Sequence, residues 1–368
     1  MNVMIDSPNA RAVQVIAEAG VNHNGQADLA FELVSVAAQA GADAVKFQTF
    51  KAESLATQDA PKAAYQERTT GTTESQFAML KRLELSPALH RELKAAAERQ
   101  GIEFLSSAFD SESLRFLVDE LGLKRLKVPS GELTNAPFLL EHARTGAALI
   151  VSTGMATLAE VETALGVIAF GRIAESTEKP SVAAFHAAYA APEGQAALRA
   201  GLTLLHCTSD YPAAPSAVNL RAMDTLHTAF DLPVGYSDHT LGTGMSVAAV
   251  ARGACVIEKH FTLDRTMAGP DHAASLEPEA LATMIQDIRA VSVALGDGIK
   301  RPQPAEWAVA QVARKSLVAR TDIPAGTILT ADRIAIMRPG SGVSPLRYWD
   351  VLGQSARRDY RAGELLDE

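Results

Sequence analysis

The chain has 368 residues, 47% of them hydrophobic and 21% charged, with 34 lysines and arginines against 43 acids and a formal net charge of −9. That composition builds a sizeable core and excludes disorder; its sign excludes bulk attraction to nucleic-acid phosphates or anionic membranes. With only Cys207 and Cys255, a disulfide framework and a cysteine-built zinc site are excluded as well.

The N-terminus, residues 1–11, is polar and interrupted by Pro8, so no signal peptide is expected. No window of about 18 apolar residues predicts a membrane span. The expected setting is soluble, reducing and cytoplasmic. Short β-branched apolar runs then alternate with longer amphipathic ones. Strands are predicted at 13–19, 44–50, 103–109, 125–130, 148–153, 202–208, 233–239 and 255–261. Each is brief and apolar, as buried parallel strands are. Helices are predicted at 27–40, from the Ser86-Pro87 start to Gln100, from Asp110 or Ser111 to Leu121, at 157–170 and at 279–295. Residues 51–81 form a long polar connection after the second strand, and 172–201 an alanine-rich insertion in which one extra helix is expected.

Eight strand-helix alternations over about 295 residues predict an α/β fold, a (β/α)8 TIM barrel, with a doubly wound open sheet as the rival. The catalytic barrel is placed at 1–295 and a linker at 296–313. A small, mostly β module follows at 314–368, short strands punctuated by Pro324-Ala325-Gly326 and Arg338-Pro339-Gly340. A module of that size barely supports a core alone.

In such a barrel the chemistry sits at the C-terminal strand ends, and polar residues collect there. In order they are Glu18; Lys46 and Gln48; Ser106 and Ser107; Lys127, Ser130 and Glu132; Ser152 and Thr153; His206, Thr208 and Ser209; Ser237, Asp238 and His239; and Glu258, Lys259 and His260. His239 and His260 hold equivalent positions on neighbouring strands and are the metal candidates. They suit a divalent ion such as Mn²⁺, with Mg²⁺ as the alternative. Lys46, Lys127 and Lys259 with the intervening serines predict a local anion site within an acidic chain. There is no His-Glu-x-x-His, Gly-x-Ser-x-Gly or P-loop.

Ile16-Ala-Glu-Ala-Gly-Val-Asn-His-Asn-Gly25 resembles the opening signature of the sialic acid synthase family. Further matching stretches are Val45-Lys-Phe-Gln-Thr-Phe50, Lys127-Val-Pro-Ser-Gly-Glu132, Ser152-Thr-Gly-Met155, Ser237-Asp-His-Thr-Leu241, Glu258-Lys-His-Phe261 and Gly269-Pro-Asp271. Arg338-Pro-Gly-Ser-Gly342 is similar to the family's antifreeze-like (SAF) domain. The resemblance implies condensation of phosphoenolpyruvate with an N-acetylated mannose-type aminosugar, giving a nine-carbon 2-keto acid and phosphate. It implies phosphoenolpyruvate held by Lys127, Ser107, Ser130, Ser152, Ser209 and Ser237. Glu18 would handle water or protons, as would Glu258. Gln48, Glu132, Tyr211 and Asp271 would face the sugar. Arg338 would reach it from the other subunit of a domain-swapped homodimer. Phe47-Gln-Thr-Phe-Lys-Ala52 and Ala64-Tyr-Gln66 resemble the N-acetylneuraminate and legionaminate branches more than the pseudaminate one, which leaves two sugars open. The rivals are a Schiff-base aldolase using Lys127 or Lys46, and a non-catalytic sugar-binding or ice-binding protein.

Overall fold

A computed structural model of the chain describes residues 13–62, 66–67 and 74–367. The polar segment 1–11 and the Ala64-Tyr65 pair lie outside them. The chain divides into two compact units that meet at Gly296 and Asp297.

The first unit is a closed parallel barrel of eight strands in chain order. They are β1 (Gln14–Gly20), β2 (Ala44–Thr49), β3 (Glu103–Ala108), β4 (Arg125–Val128), β5 (Ala148–Ser152), β6 (Leu202–Cys207), β7 (Val234–Asp238) and β8 (Val256–His260). The sheet closes where β1 pairs with β8, Glu18 opposite His260, so the open-sheet alternative is set aside. The predicted strands are all present. Most end one residue earlier than the predicted runs.

Local rules place the helices. Ser86 accepts from Leu89 N–H and Pro87 opens the helix Pro87–Arg99. Thr157 and Glu160 form a capping box on Leu158–Ile173. Asp110 rather than Ser111 caps the helix at Ser111–Arg115, and a π turn carries it on through Phe116–Glu120. The insertion holds two helices, Val182–Ala190 and Pro192–Gly201, divided at Pro192. The long connection after β2 also carries helices, Ala52–Leu55 and Gln76–Leu83.

Strand periodicity sorts the side chains into two layers. Ala17, Val45, Phe47, Leu126, Leu204 and Ile257 point outward into the core shared with the helices. Ile16, Ala44, Leu105, Ile150, Leu205 and Val256 fill the barrel interior as a separate apolar plug. Two residues further along each strand, that interior turns polar.

The second unit pairs β9 (Ser316–Ala319) antiparallel with β10 (Ile334–Met337). Its own core includes Leu317, Ile323, Leu329, Ile334, Tyr360 and Leu366. The helix Glu306–Ala313 precedes β9. Among the described residues no helix is long and apolar enough to cross a membrane.

Candidate active site

Above the apolar plug, the next inward position of each strand is Glu18, Lys46, Ser107, Lys127, Ser152, Cys207, Ser237 and Glu258. All eight line one cavity of about 500 Å³ at the C-terminal mouth of the barrel. Four of them are charged, buried side chains, two of each sign, and they neutralise one another. Lys46 Nζ lies 2.5 Å from Glu18 and 3.5 Å from Glu258, and Lys127 Nζ lies 3.5 Å from Glu258. Lys46 also donates to Ser107 Oγ at 3.4 Å, and Ser237 Oγ donates to Glu258 at 2.8 Å.

The two carboxylates titrate in opposite directions. Burial lifts Glu18 to about 7 against the pull of Lys46, and the negative charge of Glu258 adds to the rise. Burial pushes Glu258 upward too, but Lys127, Lys46 and the Ser237 hydroxyl outweigh it and bring Glu258 to about 2. Burial lowers the Lys127 ammonium, opposed by Glu258.

A second group of hydroxyls surrounds a glycine. Gly154 N–H donates to Ser130 Oγ at 3.0 Å, and Cys207 Sγ sits 3.1 Å from the same oxygen. A methyl on Gly154 would fall 2.4 Å from Ser209 Oγ and 2.8 Å from both Ser130 Oγ and Cys207 Sγ. The Ser152 hydroxyl is buried with no hydrogen-bond partner, which a native interior tolerates where a ligand supplies one. Two ammonium groups and several hydroxyls, three of the polar atoms packed closely against the Gly154 backbone, make a cradle for a small multiply charged anion.

His239 and His260 also line the cavity, with ring centroids 5.6 Å apart. His239 Nδ1 donates to the Thr208 carbonyl at 2.6 Å, which leaves Nε2 with a lone pair. His260 Nδ1 is buried without a hydrogen-bond partner. Burial holds both imidazoles below their ordinary range, His260 far below, so both are neutral near pH 7. Tyr211 packs against His239 with ring centroids 4.1 Å apart and planes tilted by 31°, and meets His260 edge-on at 5.7 Å. Among the described residues no group of three or more histidines, cysteines or carboxylates gathers as a self-sufficient metal cage. Two neutral imidazoles, His260 with its Nδ1 unpartnered and His239 with its Nε2 facing Ser237 Oγ at 3.4 Å, do fit a divalent ion that completes its sphere with water and substrate.

The remaining expected site residues divide by position. Gln48, Ser209, Tyr211 and Asp271 line the cavity, and burial raises Asp271 to about 6. Glu132 does not line it; its carboxylate accepts from Asn135 Nδ2 at 2.7 Å instead. Arg338 belongs to the second unit, where its Nε donates to the Ala313 carbonyl. Lys259 is no part of the anion site: strand alternation turns it outward, fully buried, 3.0 Å from Asp238. Ser106 likewise points outward to Thr49, and His206 bonds the Val218 carbonyl. Cys207 and Gly154 lie in stretches that carry the family resemblance, but their sequence alone gave them no role in the site. Cys207 lies two residues after the plug residue Leu205, a spacing that could have found it.

This arrangement coincides with an independent likeness. The sequence profile of the NeuB family matches residues 33–300, and that of the SAF domain matches residues 314–368. The chain belongs to the NeuB family. It is 47% identical over 354 residues to the N,N'-diacetyllegionaminic acid synthase of Campylobacter jejuni, covering 96% of this chain and 98% of that one. It is 45% identical over 352 residues to the protein of the same name from Legionella pneumophila, covering 96% and 92%. The crystal structure of an N-acetylneuraminic acid (sialic acid) synthetase from Leptospira borgpetersenii superposes with a TM-score of 0.64. Sequence identity there is 32%, covering 81% of this chain and 90% of that one.

Proposed function

We propose that the chain is a transferase that condenses phosphoenolpyruvate with an N-acetylated mannose-type aminosugar, releasing a nine-carbon 2-keto acid and phosphate. The two legionaminate relatives favour the 2,4-diacetamido-6-deoxy sugar, hence N,N'-diacetyllegionaminate, over N-acetylmannosamine. The observation that carries the reading is the ring of Glu18, Lys46, Lys127 and Glu258 at one level of the barrel, with hydroxyls between them.

In this reading Lys46 and Lys127 hold the phosphate and carboxylate of the enol ester, with Ser107, Ser130, Ser152, Ser209 and Ser237 as hydroxyl donors. A divalent ion held by His239 and His260, Mn²⁺ or Mg²⁺, would supply Lewis-acid polarisation of the sugar's open-chain aldehyde. The C3 carbon of the enol ester forms the new carbon–carbon bond, and positive charge develops at C2. Glu258, ionised at all working pH values, stabilises that charge across the low-dielectric cavity. Glu18, poised near neutrality, takes the proton of the water that adds to C2. Collapse of the tetrahedral centre breaks the C2–O bond and expels phosphate. Gln48, Tyr211 and Asp271 face the sugar.

Phosphate release from phosphoenolpyruvate is the test, run with Mn²⁺ or a chelator across a panel of acylated aminosugars. Sugar-dependent, chelator-sensitive release is expected. Borohydride trapping of pyruvate on Lys127 or Lys46 would instead indicate Schiff-base chemistry.

A further inference from the structure

Part of the cavity wall is apolar, although Gln66 and Gln76 of the connection after β2 also line the cavity. That apolar part consists of Val21, Leu55, Met79, Leu80, Leu83 and Phe109. These residues belong to a hydrophobic cluster separate from the barrel core. Most come from the two short helices of the connection after β2. Met79 and Leu83, one helical turn apart, are each 1% exposed and anchor the wall, while Leu55 and Leu80 are half-buried and form its accessible part.

Polar contacts fix the two helices to each other. Lys81 Nζ lies 2.8 Å from Glu53 and 3.1 Å from Glu84, and the backbone N–H of Ala52 donates to Glu84 at 2.6 Å. Lys51 N–H donates to Asp110 at 2.9 Å, which ties the start of the connection to the β3 end. The wall is therefore a built surface facing the anion cradle.

An enol phosphate has no use for such a wall, since its charged groups belong with the lysines. A sugar hydroxyl directed at Leu55 or Leu80 would be left without a partner. A sugar with a methyl at C6 and a second acylamino methyl offers the apolar surface that the wall can bury. We infer that Leu55 and Leu80 are specificity-determining residues, and that this wall selects a 6-deoxy-2,4-diacylamino sugar over a 6-hydroxy sugar with one acylamino group. The inference rests on the condensation reading and places its sugar selectivity in the connection after β2.

The experiment uses the full chain and compares kcat/KM for 2,4-diacetamido-2,4,6-trideoxymannose and N-acetylmannosamine. A sugar that is not turned over is measured as a competitive inhibitor. Wild type should favour the deoxy sugar at least about tenfold, the scale of a methyl or methylene contact in an apolar pocket. Leu80→Gln and Leu55→Gln should each cut that preference about tenfold through the sugar's KM, with the phosphoenolpyruvate KM unmoved, and Leu80→Met should keep it. The two leucines lie on different helices, so one variant can be read if the other does not fold. An unchanged preference in folded glutamine variants would overturn the inference, as would a parallel shift in the phosphoenolpyruvate KM. A wild-type preference for N-acetylmannosamine would overturn it and leave the condensation standing. Phosphate release with neither sugar would remove the condensation reading itself.

Discussion

Glu18 and Glu258 stand at one level of the barrel and share Lys46 as a neighbour, but only Glu258 has a second ammonium, Lys127, within 3.5 Å. That extra charge keeps Glu258 ionised and lets Glu18 exchange a proton near neutrality. Glu18→Gln should lower kcat by about 10²–10⁴, the range for a lost general base, and remove an ionisation near pH 7 from the kcat profile. A stability effect follows from the same shift. Between its ordinary 4.5 and about 7, Glu18 keeps its proton in the folded protein and loses it in the unfolded chain. Its contribution is therefore intact below 4.5 and is lost as pH rises through 7. Thermal melts at pH 5 and pH 8 should show that loss in wild type and less of it in Glu18→Gln. Lys127→Ala leaves Glu258 with one cation fewer and should raise the phosphoenolpyruvate KM about thirtyfold, equivalent to about 2 kcal/mol. Initial rates at saturating sugar check this. His239→Ala should abolish chelator-sensitive turnover and weaken Mn²⁺ binding, read directly from the electron paramagnetic resonance of the free ion.

Strand ends decide how far the sequence could be read. The inward pattern was legible because β1, β2 and β8 carry charge two residues beyond an apolar plug position. The outward half was not. Lys259 and Asp238 stand beside Glu258 and Ser237 in sequence, so composition alone assigns all four to the mouth. Only the period of two separates them, and it needs the strand register. Glu132 failed for another reason: β4 ends at Val128, and the short turn Ser130–Glu132 carries that carboxylate to Asn135. The wall helices were hidden in a polar stretch too short and mixed to show a clear helical period. At this scale the buried Asp238–Lys259 pair is the testable element. Asp238 also accepts from Thr240 N–H, Thr240 Oγ1 and Ser246 Oγ, and Lys259 donates to the Thr240 carbonyl, so the pair fixes the turn that follows His239. Lys259→Met strands a buried carboxylate and should cost the barrel about 3–5 kcal/mol in chemical denaturation.

At the scale of the whole molecule, the barrel was readable from eight alternations and the C-terminal unit from its turn-rich texture. Arg338 lies in that C-terminal unit, and the family resemblance assigns it to the sugar across a subunit boundary. A swapped homodimer predicts a solution mass near twice 39.0 kDa by light scattering. It also predicts that mixing inactive Arg338→Ala with inactive Glu18→Gln restores part of the activity, because some hybrid sites then receive both intact residues. No recovery after subunit exchange would place Arg338 outside the shared site.

The outward ion pair behind β7 and β8 limits how this enzyme can diverge. β8 is charged on both faces, so a single residue inserted into it or deleted from it would aim Lys259 at the reactants and drive Glu258 into the greasy layer beneath the helices. Such a frameshift would reverse the polarity of the chamber and leave no working intermediate along the way. New sugar preferences are therefore more accessible by rewriting the connection after β2, whose residues can change one at a time, than by altering the staves that hold the histidines.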